Sequence, residues 1–195
     1  MKRIFILKSS EGRTAPDFSL KSLSAWRMDL IARCIIASFA TPIGPRRDVI
    51  LHIVLEGPPN PPVTVSIYGE KMEKMPLSEI EAAEIIYNAL LGRANREVYI
   101  ERKSFERTLL ENYNHEIFYL HEFGEDIKNV KISGTSVFVL GDHKGIDEEG
   151  ERILEKIGAK KVSLGRIPYL SSHCIIIVNH ELDNRWENGA QKTSE

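Results

Sequence analysis

The chain has 195 residues, 42% hydrophobic and 28% charged, enough to bury one core, so a single domain over 1–195 is expected. A net charge of −2 gives no global attraction to nucleic acid or anionic membrane, so a polyanion would have to be met by local clusters. No stretch approaches the roughly 20 apolar residues of a bilayer span, and the amino terminus has too brief an apolar run for a secretory signal. The two cysteines, Cys34 and Cys174, form neither a disulfide framework nor a zinc spacing. The expectation is a cytoplasmic protein with no metal and no membrane contact.

KRIFILK reads as a first buried strand. After a Ser-rich stretch, LSAWRMDLIARCIIASFAT places Leu23, Trp26, Leu30, Ile31, Cys34, Ile35 and Phe39 at helical spacing, with Ser24 as its cap. GPRRD is a basic turn into DVILHIVLEG, apolar enough for a central strand. GPPNPP is a stiff loop, because proline supplies no ladder donor. VTVSIYGE alternates like an edge or hairpin strand. PLSEIEAAEIIYNALLG is a helix with Pro76 and Ser78 at its start and Gly92 just past its end. GRANREVYI predicts a loop or short extended piece, and SFERTLLENY a weaker helix.

EIFYLHE, VFVLGD and KKVSLG read as three short strands. Between the second and third, DEEGERILEKIG is a helix closed by Gly158. This alternation predicts an α/β fold with a parallel sheet and crossover helices. CIIIVNHELDN has the β-branched content of a strand. Its length, its Ser171-Ser172 entry and its polar finish at Asp183 and Asn184 favour a helix. So apolar a helix must be covered on most sides, by the core or by a second subunit. ENGAQKTSE, with 189–195 as its end, reads as a disordered tail.

In open α/β sheets, ligands bind outside the carboxyl ends of the strands. Three inferred strands end in suggestive loops: LHEFG from Leu120, GDHKG from Gly141, and LGRIPY from Leu164 to Tyr169. Glycine lets a backbone approach a ligand, and free N–H and C=O groups there could pair with a purine edge. Glycine at a strand end is also ordinary turn chemistry. Composition and spacing leave both readings open.

VFVLGDHKG followed by KKVSLGRIPYLSSHCIIIVNHELD resembles the cofactor half of the SPOUT methyltransferases. Within them, the chain is most similar to the archaeal enzymes that methylate N1 of pseudouridine at position 54, in the T-loop of tRNA. WRMDLIARCIIASF and the basic GPRRD extend the likeness along the chain. The resemblance implies a SPOUT-type, mostly parallel sheet with helices on both faces and a C-terminal trefoil knot. About 115–185 would be the cofactor-binding part, holding S-adenosylmethionine in a bent shape, and the protein would be a homodimer. It further implies cofactor contacts at Leu120, Gly141, Leu164, Gly165, Arg166, Ile167, Pro168, Tyr169 and Cys174, and it makes CIIIVNHELDN a helix.

Methyl transfer to nitrogen needs an aligned donor and acceptor and a destination for a proton. In RMDLIAR, Asp29 and Arg33 are four apart and share one helix face, which by spacing alone is a surface ion pair worth about 0.5 kcal/mol. The resemblance turns this helix toward RNA and makes Asp29 the candidate carboxylate, with Arg27 on the nucleotide or its phosphates. A lone cysteine at a helix start invites a nucleophile assignment. Direct transfer has no use for one, so Cys174 is read as a small residue against the cofactor. His143 and His173 receive no catalytic part.

Arg27, Arg33, Arg46, Arg47, Arg93, Arg96 and Arg102 are the candidate contacts to the tRNA T-arm, each adding a salt-dependent, sequence-independent term. Each is equally readable as solubilising surface. Three other functions fit parts of the sequence. They are N1-methylation of pseudouridine in small-subunit ribosomal RNA, non-catalytic RNA binding on the same fold, and methylation of a small molecule.

Overall fold

The computed structural model describes residues 2–191. Its strands are β1 (Arg3–Ser9), β2 (Val49–Leu55), β3 (Val63–Tyr68), β4 (Val98–Glu101), β5 (Glu116–Asp126), β6 (Ser136–Gly141) and β7 (Lys160–Ser163). Its α-helices are α1 (Met28–Phe39), α2 (Glu79–Leu90), α3 (Phe105–Glu111), α4 (Glu148–Lys156) and α5 (Ser171–Gln191). All seven strands form one sheet in the order β4-β3-β2-β1-β6-β5-β7. β1 pairs in parallel with β2 and β6, and β5 with β6 and β7, while β2–β3 and β3–β4 are antiparallel.

The central strand shows why the sheet is two-faced. Every residue of β1 is buried, and its alternation feeds two layers. Phe5 and Leu7 pack with Ile31, Ile35, Ile86, Ile175 and Val178 from α1, α2 and α5. Ile4 and Ile6 pack with Phe105, Leu109 and Leu154 from α3 and α4. The helices therefore cover both faces, as expected for a mostly parallel sheet.

Three details differ from the sequence reading. The helix expected from Leu23 starts instead at Met28, after a 3-10 turn over Ala25–Arg27 in which Trp26 (φ 58°) and Arg27 (φ 53°) are left-handed. Ser24 makes no side-chain cap there; the turn is held by tertiary packing, with the Arg13 guanidinium 4.6 Å from the centre of the Trp26 ring. VTVSIYGE is the hairpin strand of its two readings, antiparallel to β2, and VYIE from GRANREVYI, the short extended piece, pairs outside it as β4. β5 runs on to Asp126, and both Leu120 and Glu125 pair with Val162 of β7, so residues 121–124 bulge around that position. Gly124 permits the bulge: a Cβ there would lie 2.4 Å from the Val162 nitrogen.

CIIIVNHELDN lies within α5, whose backbone continues through Gln191. The predicted disordered tail therefore begins inside a helix at 187–191, and residues 192–195 lie outside the described ones. Ile175, Val178 and Leu182 bury one face of α5, while Ile176 on another face is 51% exposed. At its far end α5 is tied to the sheet by Arg3, a fully buried arginine. Its Nη1 donates to the backbone carbonyl and side-chain oxygen of Asn179, both at 3.0 Å. It also pairs with Asp183 at 2.5 Å and with Asp48 at 2.8 Å. Among the described residues no helix is long and apolar enough to cross a membrane.

Candidate active site

A cavity of about 500 Å³ opens at the carboxyl ends of β5, β6 and β7. The three loops singled out in the sequence converge on it. Leu120, Leu164, Gly165, Ile167, Pro168, Tyr169 and Cys174 line it, and so do His143, Lys144 and Gly145. Gly141 lies just outside the wall and Arg166 is exposed away from it. Gly141 nevertheless shapes the site. A Cβ on it would meet the Gly145 carbonyl carbon at 2.2 Å, so only glycine lets the 142–145 turn fold back this closely. The Gly141 carbonyl also accepts the Ser171 hydroxyl at 2.8 Å, which fixes the start of α5 beside the cavity.

The turn is braced by a residue the sequence reading passed over. Asp142 is buried, and its Oδ2 accepts from both the Ser10 amide and the Ser10 hydroxyl at 2.7 Å, while Oδ1 accepts from the Lys144 amide at 2.9 Å. Lys144 in turn ion-pairs with Glu11 at 2.6 Å. This hydrogen bond holds the Glu11 carboxyl below and the Lys144 ammonium above their ordinary ranges. The loop after β1 is thereby fastened to the cavity rim.

Cys174 contributes a neutral thiol, because burial pushes it up to about 11. Cys34, inside the core against α5, is raised further by burial. Neither is a thiolate at neutral pH.

Two other wall residues had no sequence signal. The Tyr119 hydroxyl donates to Glu151 Oε1 at 2.8 Å, and His121 Nε2 stands 3.8 Å from the same oxygen. Burial and the adjacent carboxylate raise the Tyr119 hydroxyl well above its usual range, so it stays protonated. The contact joins β5 to α4 across 32 residues, a separation no local motif reports.

Asp29 is not in the cavity wall. It follows the β1 loop on the carboxyl side of the sheet and takes hydrogen bonds from Arg33 (2.7 Å) and Arg27 (3.2 Å). Partial burial alone would raise its carboxyl; these two guanidiniums outweigh that and hold it below the usual range. Arg33 also lies 3.5 Å from Glu79.

The remaining candidate arginines do not form one patch. Arg102 follows the end of β4 on the carboxyl side, where Glu101 pairs with Thr64. Arg46 and Arg47 precede β2 on the opposite edge. Arg46 is bound to Asp183 at 2.8 Å, and Arg47 donates to the Gly69 and Met72 carbonyls. Arg96, just before β4 on that same edge, pairs with Glu73 at 2.5 Å. Arg93, past the end of α2, is exposed. A larger cavity of about 660 Å³ between α2 and the start of β4 is walled by Glu73, Glu81, Glu84 and Glu97 and holds none of the expected cofactor contacts. Among the described residues no group of three or more His, Cys, Asp or Glu could hold a metal ion.

A mostly parallel sheet covered on both faces, with a glycine-turned cavity at its carboxyl edge, is the architecture of the SPOUT methyltransferases. The solved structure of Archaeoglobus fulgidus Nep1 bound to S-adenosylhomocysteine shares this fold, with a TM-score of 0.66 over 94% of this chain and 98% of that one, at 14% identity. The profile of the family described as "Putative SAM-dependent RNA methyltransferase" matches residues 2–186, and the chain belongs to that family. Two relatives carry the name tRNA (pseudouridine(54)-N(1))-methyltransferase. The one from Methanocella arvoryzae is 41% identical over 94% of this chain and 100% of its own length. The one from Methanocaldococcus jannaschii is 38% identical over 94% and 97%.

Proposed function

We propose that this protein transfers a methyl group from S-adenosylmethionine to N1 of pseudouridine 54 in tRNA, as its relatives are named for doing. The observation that carries the reading is the loop-walled cavity at the carboxyl edge, in a chain of this family. At about 500 Å³ it is of cofactor size. Its wall offers glycine turns that a purine edge can approach closely and the apolar Leu120, Leu164 and Ile167 for a ribose and aliphatic chain. Cys174, held as the neutral thiol, does not compete as a nucleophile there.

When bound there, S-adenosylmethionine supplies an electrophilic methyl group. The chain's own work is alignment and charge. Holding donor and acceptor in line converts a bimolecular step into a local one, with effective molarities of roughly 10⁵ M or more. Asp29, kept anionic by Arg33 and Arg27, accepts a hydrogen bond from the pseudouridine imide and holds the ring with N1 toward the donor. Its depressed affinity for protons suits orientation better than full proton removal, so the N1 proton displaced as the N–C bond forms and the S–C bond breaks passes to solvent water.

Because Asp29 and the cavity wall are separate within one chain, the reading includes a homodimer in which one subunit's α1 serves its partner's cavity. Support comes from a groove of about 380 Å³ between α1 and α5, lined by Ile36, Ala37, Ala40 and the half-exposed Ile176. The reading also includes a threaded carboxyl segment. Arg93 and Arg102 are the RNA contacts most free to serve. Arg27 and Arg33 are engaged with Asp29, and Arg46, Arg47 and Arg96 would have to exchange intrachain partners. A target base in a loop suits this, since unstacked bases can be flipped and read. The reading includes a cytoplasmic location.

The test is mass spectrometry of nucleosides after incubating pseudouridine-containing tRNA with the protein and methyl-labelled S-adenosylmethionine. Labelled N1-methylpseudouridine from position 54 is expected. Label in a ribosomal hairpin but not in tRNA would overturn the assignment.

A further inference from the structure

The charge on the cavity wall is one-sided. Glu122 and Glu151 contribute carboxylates, and the one lysine of the wall, Lys144, is already neutralised by Glu11 at 2.6 Å. Glu151 is the better fixed of the two carboxylates. α4 carries it to the rim, and the Tyr119 hydroxyl holds its Oε1 at 2.8 Å. His121 Nε2 is also nearest that oxygen, at 3.8 Å, and Glu151 is among the residues that line the cavity. A fixed negative field in a partly enclosed site is screened far less than one at an open surface.

The proposed reaction changes the charge of what occupies this space. The donor is a sulfonium and carries one positive charge more than the thioether product that remains after the methyl leaves; ribose, adenine and amino-acid end are common to both. Resting on the function proposed above, we infer that Glu151, positioned by Tyr119, is the residue that distinguishes donor from spent product. It favours the cationic sulfonium form and lets the neutral-sulfur form go. The discrimination follows from net charge, so it holds for any pose that brings the sulfur into this cavity. Tyr119 is a positioning residue in this scheme, acting only through the carboxylate it orients.

The experiment is titration calorimetry of the full chain with three ligands: S-adenosylmethionine, S-adenosylhomocysteine, and sinefungin, which bears a protonated amine near the sulfonium position. Glu151→Gln is expected to weaken S-adenosylmethionine and sinefungin by about tenfold and S-adenosylhomocysteine by less than about twofold. Tyr119→Phe, which keeps the ring and removes only the hydroxyl, should shift the same ratio in the same direction by a smaller factor. Added salt should reduce wild-type affinity for the two cationic ligands more than for S-adenosylhomocysteine. Equal losses for all three ligands would mean that Glu151 reads a group they share, and would overturn the proposal, as would no loss at all. Wild-type protein that binds none of the three would instead remove the cofactor reading on which the proposal stands.

Discussion

Asp29 and Arg33, one turn apart on α1, meet at 2.7 Å between Oδ2 and Nη2, and Arg27 closes on the other carboxylate oxygen at 3.2 Å. Two cations on one half-buried carboxylate make it an anion across the physiological range. Its role as an acceptor of one oriented hydrogen bond can therefore be tested by pH as well as by substitution.

Asp29→Asn is expected to lower kcat by about a hundredfold, within the range for a positioned acid–base group, while leaving S-adenosylmethionine affinity unchanged, since Asp29 is not in the cavity wall. The wild-type pH–rate profile should show no Asp29 limb above the ordinary value of 3.8, because its partners depress the group below that value. Arg33→Ala should bring an acid limb up toward the ordinary value. Single-turnover kinetics between pH 3 and 8 checks both, and a purely structural role would leave the acid limb unmoved.

The arginines should divide into two classes. Arg102→Ala is expected to reduce the salt dependence of tRNA binding by roughly one phosphate contact, a slope change of about 0.7–0.9 in log K against log salt, with little effect on folding. Arg46→Ala breaks the 2.8 Å pair with Asp183 and should lower the urea midpoint while leaving that slope unchanged. Filter binding over a salt series, beside urea denaturation, separates them. Loss of slope in the Arg46 variant with no loss of stability would reverse the assignment.

Gly141 and Gly158 should respond differently to alanine. At Gly158 (φ 73°) a Cβ meets nothing within 4 Å, so the cost is the left-handed backbone alone, about 1 kcal/mol. At Gly141 a Cβ would lie 2.2 Å from the Gly145 carbonyl carbon, so the turn under the cavity must move. Gly141→Ala is expected to abolish measurable S-adenosylmethionine binding by calorimetry, whereas Gly158→Ala binds normally and unfolds slightly earlier.

His52 sets the upper end of acid sensitivity. Burial, then the nearby Lys103 charge, lowers its pKa from 6.5 to about 4, and its Nδ1 lies 2.8 Å from the Ser66 hydroxyl. The folded state thus binds this proton less well than the unfolded chain. Stability is full above 6.5 and falls as the pH drops toward about 4, a loss on the order of 3 kcal/mol. Urea midpoints at pH 7, 5 and 4 should show the decline, and His52→Gln should flatten it. Asp183, held below its ordinary 3.8 by Arg46 and Arg3 against the effect of burial, adds a separate loss only below that value.

The parts of this molecule legible in its sequence are those written in local pattern. The β1 alternation, the capped α2 and α4, and the three glycine loops all depend on residues near one another in the chain. The cavity was therefore visible as three strand ends. What escaped was long-range. The strained turn at Trp26 is packed against Arg13, and the Tyr119–Glu151 and Ser10–Asp142 contacts link distant elements. Arg46 and Arg47 looked like free cations in GPRRD because nothing nearby announces Asp183 or the Met72 carbonyl. Arginine clusters in sequence need not be clusters in space.

The segment from Leu164 to Leu170 is a span pinned at both abutments. Before it, the Ser163 carbonyl accepts the Ile127 amide at 2.9 Å; after it, the Ser171 hydroxyl is held by the Gly141 carbonyl at 2.8 Å. α5 then runs on to its moorings on Arg3 and Arg46. A strip fastened this way keeps both of its shoulders beside the cavity, so whatever enters there meets two anchored ends of the same short segment.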